Sequence, residues 1–251
     1  KFDSITYWIL NNINNLELHV QDNLLFKTAC MNNNLQLLKT LYNYSNKIDF
    51  SECNQFYLNM AIYSETPYLF KWIYYVIKNS SPDKLDHVMY IKNSIYHDNL
   101  FILKFLLSEY PDFDINFDNG YIMRICFGNN YNDIIKYLFD TYNNINVLIE
   151  NEIIMKYAVE DADLEMIELL YEYNSNFNLS IDDEYLFKTA CKTNNLNIAK
   201  WLISKKHDIY HDINNHEIFY FVCEQEYINI CQYLCELDSN YQINIEDNRI
   251  I

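Results

Sequence analysis

Glycine is nearly missing from this chain of 251 residues, which has two glycines and three prolines. Two glycines cannot build a Gly-rich phosphate loop or a dinucleotide-binding turn, so those nucleotide-binding classes are excluded. The loops must turn on something else. Asparagine is abundant, and it is the non-glycine residue that best tolerates positive φ. Long apolar runs are lacking too: Leu69–Ile77 carries Lys71 and is far below the length of a membrane span. Positive charge is scarce, with 18 Lys and Arg against 35 Asp and Glu and a net charge of -17. That balance argues against nucleic acid or an anionic membrane as the main partner. No C-x-x-C occurs, and no Ser/His/Asp or Cys/His signature stands out. We therefore expect no enzyme, no catalytic residues, no cofactor and no metal site.

What is present is a core. Half of the residues are hydrophobic, too many for a disordered chain. They are also ordered by repetition. The hexapeptide "LFKTAC" stands at 25–30 and again at 186–191, 161 residues on, which is five steps of 32 plus one. Stepping at that interval finds the missing copies. Lys39 returns as Lys71, Lys104, Lys136 and Lys200, with Glu168 and Gln232 in the remaining two. Two residues further on the column reads Leu41, Ile73, Leu106, Leu138, Leu170, Leu202 and Leu234. Two residues before the lysine it reads Leu37, Leu69, Ile102, Ile134, Met166, Ile198 and Ile230. Trp8, Trp72 and Trp201 share one column and carry the register to the first residues. A fixed period of this length is the mark of a repeat array.

Each unit has one grammar. A helix of about two turns, such as Leu24–Met31, carries a small or compact residue in its middle: Ala29, Ala61, Ser94, Cys126, Ala158, Ala190 or Val222. An Asn-rich turn follows, as in "NNN" at 32–34. A second helix, such as Leu35–Tyr42, places apolar residues at i, i+2, i+3 and i+6, a wide inward stripe. About a dozen polar residues then lead to the next unit. The small residue lets the two helices approach closely, and neighbouring units bury the rest.

On these residues the chain resembles the ankyrin repeat family, whose unit is about 33 residues with a β-turn segment and two short antiparallel helices. "NNLNIAKWL" (194–202), "ADLEMIELL" (162–170) and "NYNDIIKYL" (130–138) are similar to the family's G-H-L-E-I-V-K-x-L helix, and "DINFDNG" (114–120) to its loop. The T-P-L-H-x-A helix survives only in its apolar and small positions, and Asn33, Asn130 and Asn194 stand where the family has its turn glycine. The Asn-, Ile- and Tyr-rich style is similar to arrays of amoeba-infecting giant viruses or social amoebae. The resemblance implies an all-α, helical-pair solenoid of about seven full repeats of 32–33 residues. We expect a single array over 1–251, an excerpt of a longer chain, with partial repeats at 1–19 and 244–251. Helices longer than about fifteen residues, or abundant strands, would contradict it.

Cys30, Cys191 and Cys223 share one column, Cys126 occupies the small column, and Cys231 and Cys235 lie on the inward stripe of the last second helix, so six of the seven cysteines read as buried apolar thiols. Only Cys53 falls in a loop. An intracellular, reducing compartment follows as an expectation, the host cytoplasm if the source is viral. "HDIYHDINNHE" (207–217) holds three histidines, but in a connecting segment where i, i+4 spacing does not imply one face, so it reads as a solvated loop.

The resemblance implies a protein-binding module whose concave face is formed by loop tips and the exposed side of each first helix. Tyr63 and Tyr96 lie there in the early units. In the last three units the same sites include Glu150, Glu152, Glu160, Asp161, Asp182, Glu184 and Glu224, with Lys192 their only lysine or arginine. An acidic seat for a basic protein partner is the functional expectation, with the protein a monomer. The alternative is a structural spacer without a dedicated partner. A spacer needs no change of chemistry along its face.

Overall fold

The computed structural model describes residues 20–45, 54–63, 66–206, 216–237, 243–244 and 249–250. Its residues fall into two compact units, 1–113 and 114–251. Among the described residues of the first unit, helical pairs are formed by α1 (Val20–Met31) and α2 (Leu35–Ser45), α3 (Asn54–Tyr63) and α4 (Pro67–Ser80), and α5 (His87–Tyr96) and α6 (Leu100–Glu109). A 3₁₀ turn at Pro82–Lys84 follows α4. In the second unit the pairs are α7 (Phe117–Gly128) and α8 (Asn132–Thr141), α9 (Ile153–Glu160) and α10 (Leu164–Tyr173), α11 (Ile181–Lys192) and α12 (Leu196–Lys205), and α13 (His216–Glu224) and α14 (Ile228–Leu237). Within each unit first helices pack on first helices, α1 on α3 on α5 and α7 on α9 on α11 on α13. This is a helical-pair solenoid in each unit. The longest helix has 14 residues, within the expected limit. Several helices run about a turn beyond the sequence reading: α1 begins at Val20 rather than Leu24, and α2 continues to Ser45. A two-residue antiparallel pair, β1 (Ile243–Asn244) with β2 (Arg249–Ile250), sits where a further repeat was expected to open.

The repeated columns are the core. Leu41, Ile73, Leu106, Leu138, Leu170, Leu202 and Leu234 are all fully buried. Burying each such side chain contributes about 1.5–3 kcal/mol. The small column, Ala29 through Val222, is buried as well and lets paired helices close on one another.

The near absence of glycine is met by left-handed backbone at other residues. The turn between paired helices places φ at 52° on Asn33, 51° on Asp98, 58° on Asn130, 58° on Ala162, 57° on Asn194 and 58° on Glu226. Asparagine and aspartate accept this region at small cost, whereas Ala162 and Glu226 hold it against the clash of Cβ with the backbone. The next residue caps the second helix. Asn34, Asn99, Asp163 and Asn195 accept hydrogen bonds from the backbone N–H of Leu37, Ile102, Met166 and Ile198 at 2.9, 3.1, 3.0 and 3.2 Å. Each satisfies an N–H that the helix itself leaves without a partner. Asn99 Nδ2 also donates to the carbonyl of Ile62, 3.2 Å away in the preceding pair, so one side chain starts its own helix and ties it to its neighbour.

Candidate partner-binding surface

The last residue of each first helix is exposed throughout: Met31, Tyr63, Tyr96, Gly128, Glu160, Lys192 and Glu224. Helix length fixes this position, because the following turn bends away. Its chemistry differs between the units. In residues 1–113 it is apolar, and the Tyr63 and Tyr96 rings both meet His97 edge-on, at 5.5 and 5.2 Å between centroids. In residues 114–251 it is mostly polar. The units differ in charge to match: residues 1–113 hold 11 acids and 9 lysines, and residues 114–251 hold 24 acids and 9 lysines or arginines.

A second row of acids comes from the left-handed turns at the start of α7, α9 and α11. Asp118, Asn119 and Gly120 have φ of 54°, 53° and 71°, and Glu150, Asn151 and Glu152 repeat the turn at 40°, 56° and 58°. Regular helical backbone in α7 therefore starts only after Gly120. Glycine suits that place, since a Cβ on Gly120 would stand 2.6 Å from Ile149 Cδ1 and displace that methyl, whereas the next two repeats hold Glu152 and Glu184 there at positive φ.

The turn presents its first acid to the preceding repeat. Glu150 Oε1 accepts from Arg124 Nη1 at 2.9 Å and from Asn119 Nδ2 at 2.8 Å. One repeat on, Asp182 Oδ2 accepts from Lys156 Nζ at 2.5 Å and from Asn151 Nδ2 at 2.9 Å. The two clasps are the same interaction one unit apart. Each joins an acid to a cation 26 residues earlier and to an asparagine 31 residues earlier. The Lys156 ammonium, with Asn151, holds the Asp182 carboxyl below its ordinary range.

The remaining acids are placed differently. Glu160 accepts from the Tyr185 hydroxyl, and the Tyr185 phenol is pushed up by that carboxylate. Asp161 is exposed at the C-cap of α9, and Glu224 is exposed at the end of α13. Glu152 is half-buried, with Oε1 accepting from the backbone N–H of Asn178 at 3.3 Å. Glu184 is 2 % exposed and stands in the left-handed turn conformation, φ 61°. Tyr63 and Tyr96 are grouped with each other in the first unit, and the seven acids belong to the second.

Sequence reasoning missed Arg124, Lys156, Asn119 and Asn151. The signal for them was present. Lys27, Lys92, Arg124, Lys156 and Lys188 recur two residues before the small column, and the acids Glu150 and Asp182 follow two of them at a constant offset. Counting only the positions flanking each first helix left that basic column out.

The thiols are as the columns implied for most positions. Cys30, Cys126, Cys191 and Cys231 are buried, Cys223 and Cys235 are half-buried, and all six are free. Burial pushes the Cys30 and Cys191 thiols up to about 12. Cys53 and residues 207–215 of the histidine-rich stretch lie outside the described residues. Among the described residues no group of three His, Cys, Asp or Glu side chains can hold a metal ion. No helix among them is long and apolar enough to cross a membrane.

Paired short helices, a left-handed turn between them and buried columns at a constant period define a solenoid repeat protein. Residues 155–247 match the family model for ankyrin repeats, in three copies, and the chain carries ankyrin repeats there. No curated protein matches the chain in sequence. Ankyrin repeats generally mediate protein–protein interaction, and the family is typically non-enzymatic.

Proposed function

We propose that the chain is a protein-binding module that engages its partner through the exposed side of the first helices, and that residues 114–251 seat a basic protein segment there. The in-phase pairs of residues 20–109 belong to the same array in this reading, since they share its turn, caps and buried columns. The observation that carries the proposal is the change of chemistry at one structural position: Met31, Tyr63 and Tyr96 in the first unit against Gly128, Glu160, Lys192 and Glu224 in the second, where Asp161 adds a further acid beside Glu160. A spacer has no use for that change. Glu150, Asp182 and Glu152 contribute to the field, but the first two have their charge met by Arg124 and Lys156, so Asp161, Glu224 and Glu160, which holds a neutral hydroxyl rather than a cation, would make the direct contacts.

The test is affinity capture from a cell lysate by the whole chain and by a Glu160→Lys, Asp161→Lys, Glu224→Lys variant, with circular dichroism to show that both are folded. A basic partner retained by the parent, lost from the variant and released by moderate salt is the expected result, since such contacts are screened over about 8–10 Å. Capture that is equal for the two, or indifferent to salt, would refute the acidic seat.

A further inference from the structure

We propose that the outward face of the second helices in residues 1–113, on α2, α4 and α6, is a docking surface for an acidic segment bearing apolar side chains. It lies on the other helix of each pair and in the other unit from the seat above, and it does not depend on that reading.

The second residue of α4 is Tyr68 and that of α6 is Phe101, and they are 80 % and 76 % exposed. The fold does not ask for aromatic rings there. The equivalent residues of α2, α8, α10, α12 and α14 are Gln36, Asp133, Glu165, Asn197 and Asn229, the polar kind that an outward helix position ordinarily takes, so α4 and α6 supply the rings and α2 adds Lys39 beside them. One turn further along the same face stand Lys39, Lys71 and Lys104. Lys71 Nζ lies 5.0 Å from the Phe105 ring, and the Tyr75 ring packs on that same ring at 5.7 Å, so α4 and α6 form one continuous surface. Large exposed apolar groups in a row mark a surface that is covered when it works.

Charge selects what covers it. The spans Leu35–Ser45, Pro67–Ser80 and Leu100–Glu109 contain four lysines and a single acid, Glu109. That acid is already taken, accepting from Lys78 at 2.5 Å and from the Tyr75 hydroxyl at 2.7 Å. The face is therefore positive as well as aromatic, and its complement is a segment with carboxylates beside apolar anchors. Packed helices lie about 8–10 Å apart, which matches apolar residues three positions apart in a polyproline-II segment, where about 3.1 Å per residue and three residues per turn put them on one face. A nucleic acid or an anionic bilayer fits less well. Either would meet the field of a chain with a net charge of -17, whereas a short acidic segment meets this face alone.

The experiment measures fluorescence anisotropy of the full chain with a short labelled peptide in which Asp and Glu surround Leu and Phe three positions apart. Controls replace its acids by Lys, or its Leu and Phe by Ser. Phosphatidylserine-rich vesicles and an oligo-thymidine strand are tested alongside. The parent should bind the acidic, apolar peptide saturably and neither control. Tyr68→Ser with Phe101→Ser, and separately Lys71→Glu with Lys104→Glu, should each weaken binding about tenfold or more. All four positions are on the surface, so the circular dichroism should not change. Absence of saturable binding, equal binding of the Lys-substituted peptide, undiminished binding by both variants, or preference for vesicles or oligonucleotide would overturn the proposal.

Discussion

Ala162 stands with φ at 58° where the equivalent turns use Asn33, Asn130 and Asn194. An L-residue with no polar side chain loses about 1–2 kcal/mol in that region, and glycine loses little. Ala162→Gly is therefore expected to raise stability by about 0.5–1 kcal/mol in urea denaturation, against the usual loss when Gly replaces Ala. Two buried tyrosines supply a second comparison. Tyr74 donates to the Tyr110 hydroxyl at 2.9 Å, whereas the Tyr90 hydroxyl is buried with no hydrogen-bond partner among the described residues. Tyr74→Phe should cost about 0.5–1.5 kcal/mol, and Tyr90→Phe should be neutral or stabilising, because it removes an unmet polar group. Equal losses at the two positions would contradict the assignment. Glu109 makes a pH prediction. The Lys78 ammonium, aided by the Tyr75 hydroxyl, holds its carboxyl below the ordinary 4.5. A depressed folded value means the contribution is present above that pH and is lost as pH falls through and below it. Glu109→Gln should accordingly flatten the acid limb of the stability curve below about pH 4.5, measured by denaturation at stepped pH.

At the scale of the element, the second helix was the most legible part of the sequence. Its apolar positions at i+2, i+3 and i+6 are buried in every copy except at the half-buried Leu37, whereas position i is half-buried and at Ile228 67 % exposed, and the turn asparagines have the positive φ that the lack of glycine implied. Helix ends were less legible. Nothing in the apolar period says that α1 begins at Val20, because that period does not fix where a helix ends. The candidate site was legible in its acids and not in its cations. Seeing that Arg124 faces Glu150 requires knowing that the left-handed turn of one repeat lies against the first helix of the one before. The period alone does not supply that. The cap residue carries this level's prediction. Asn99→Ala removes both the acceptor for Ile102 N–H and the donor to the Ile62 carbonyl, so a loss of about 1–2 kcal/mol is expected. Asn99→Asp, which keeps only the cap, should recover about half, as read by thermal or urea unfolding.

Over the whole molecule one repeated plan carries two chemistries. Acids and bases nearly balance in residues 1–113, while acids outnumber bases by 24 to 9 in residues 114–251. Since each repeat touches only its neighbours, surface positions can diverge without disturbing the columns that fold the chain. That separation is why the fold could be read from period alone while the partner could not: period is written in buried residues, and recognition in exposed ones that vary from copy to copy. The central claim is that a single helical-pair unit, repeated in phase, builds the chain and positions its surfaces. Hydrogen–deuterium exchange at peptide resolution tests it most directly. Slow exchange should recur every 32–33 residues, strongest around Leu41, Ile73, Leu106, Leu138, Leu170, Leu202 and Leu234, with fast exchange in the connections between pairs. Protection without that period, or confined to one stretch of the chain, would contradict the account.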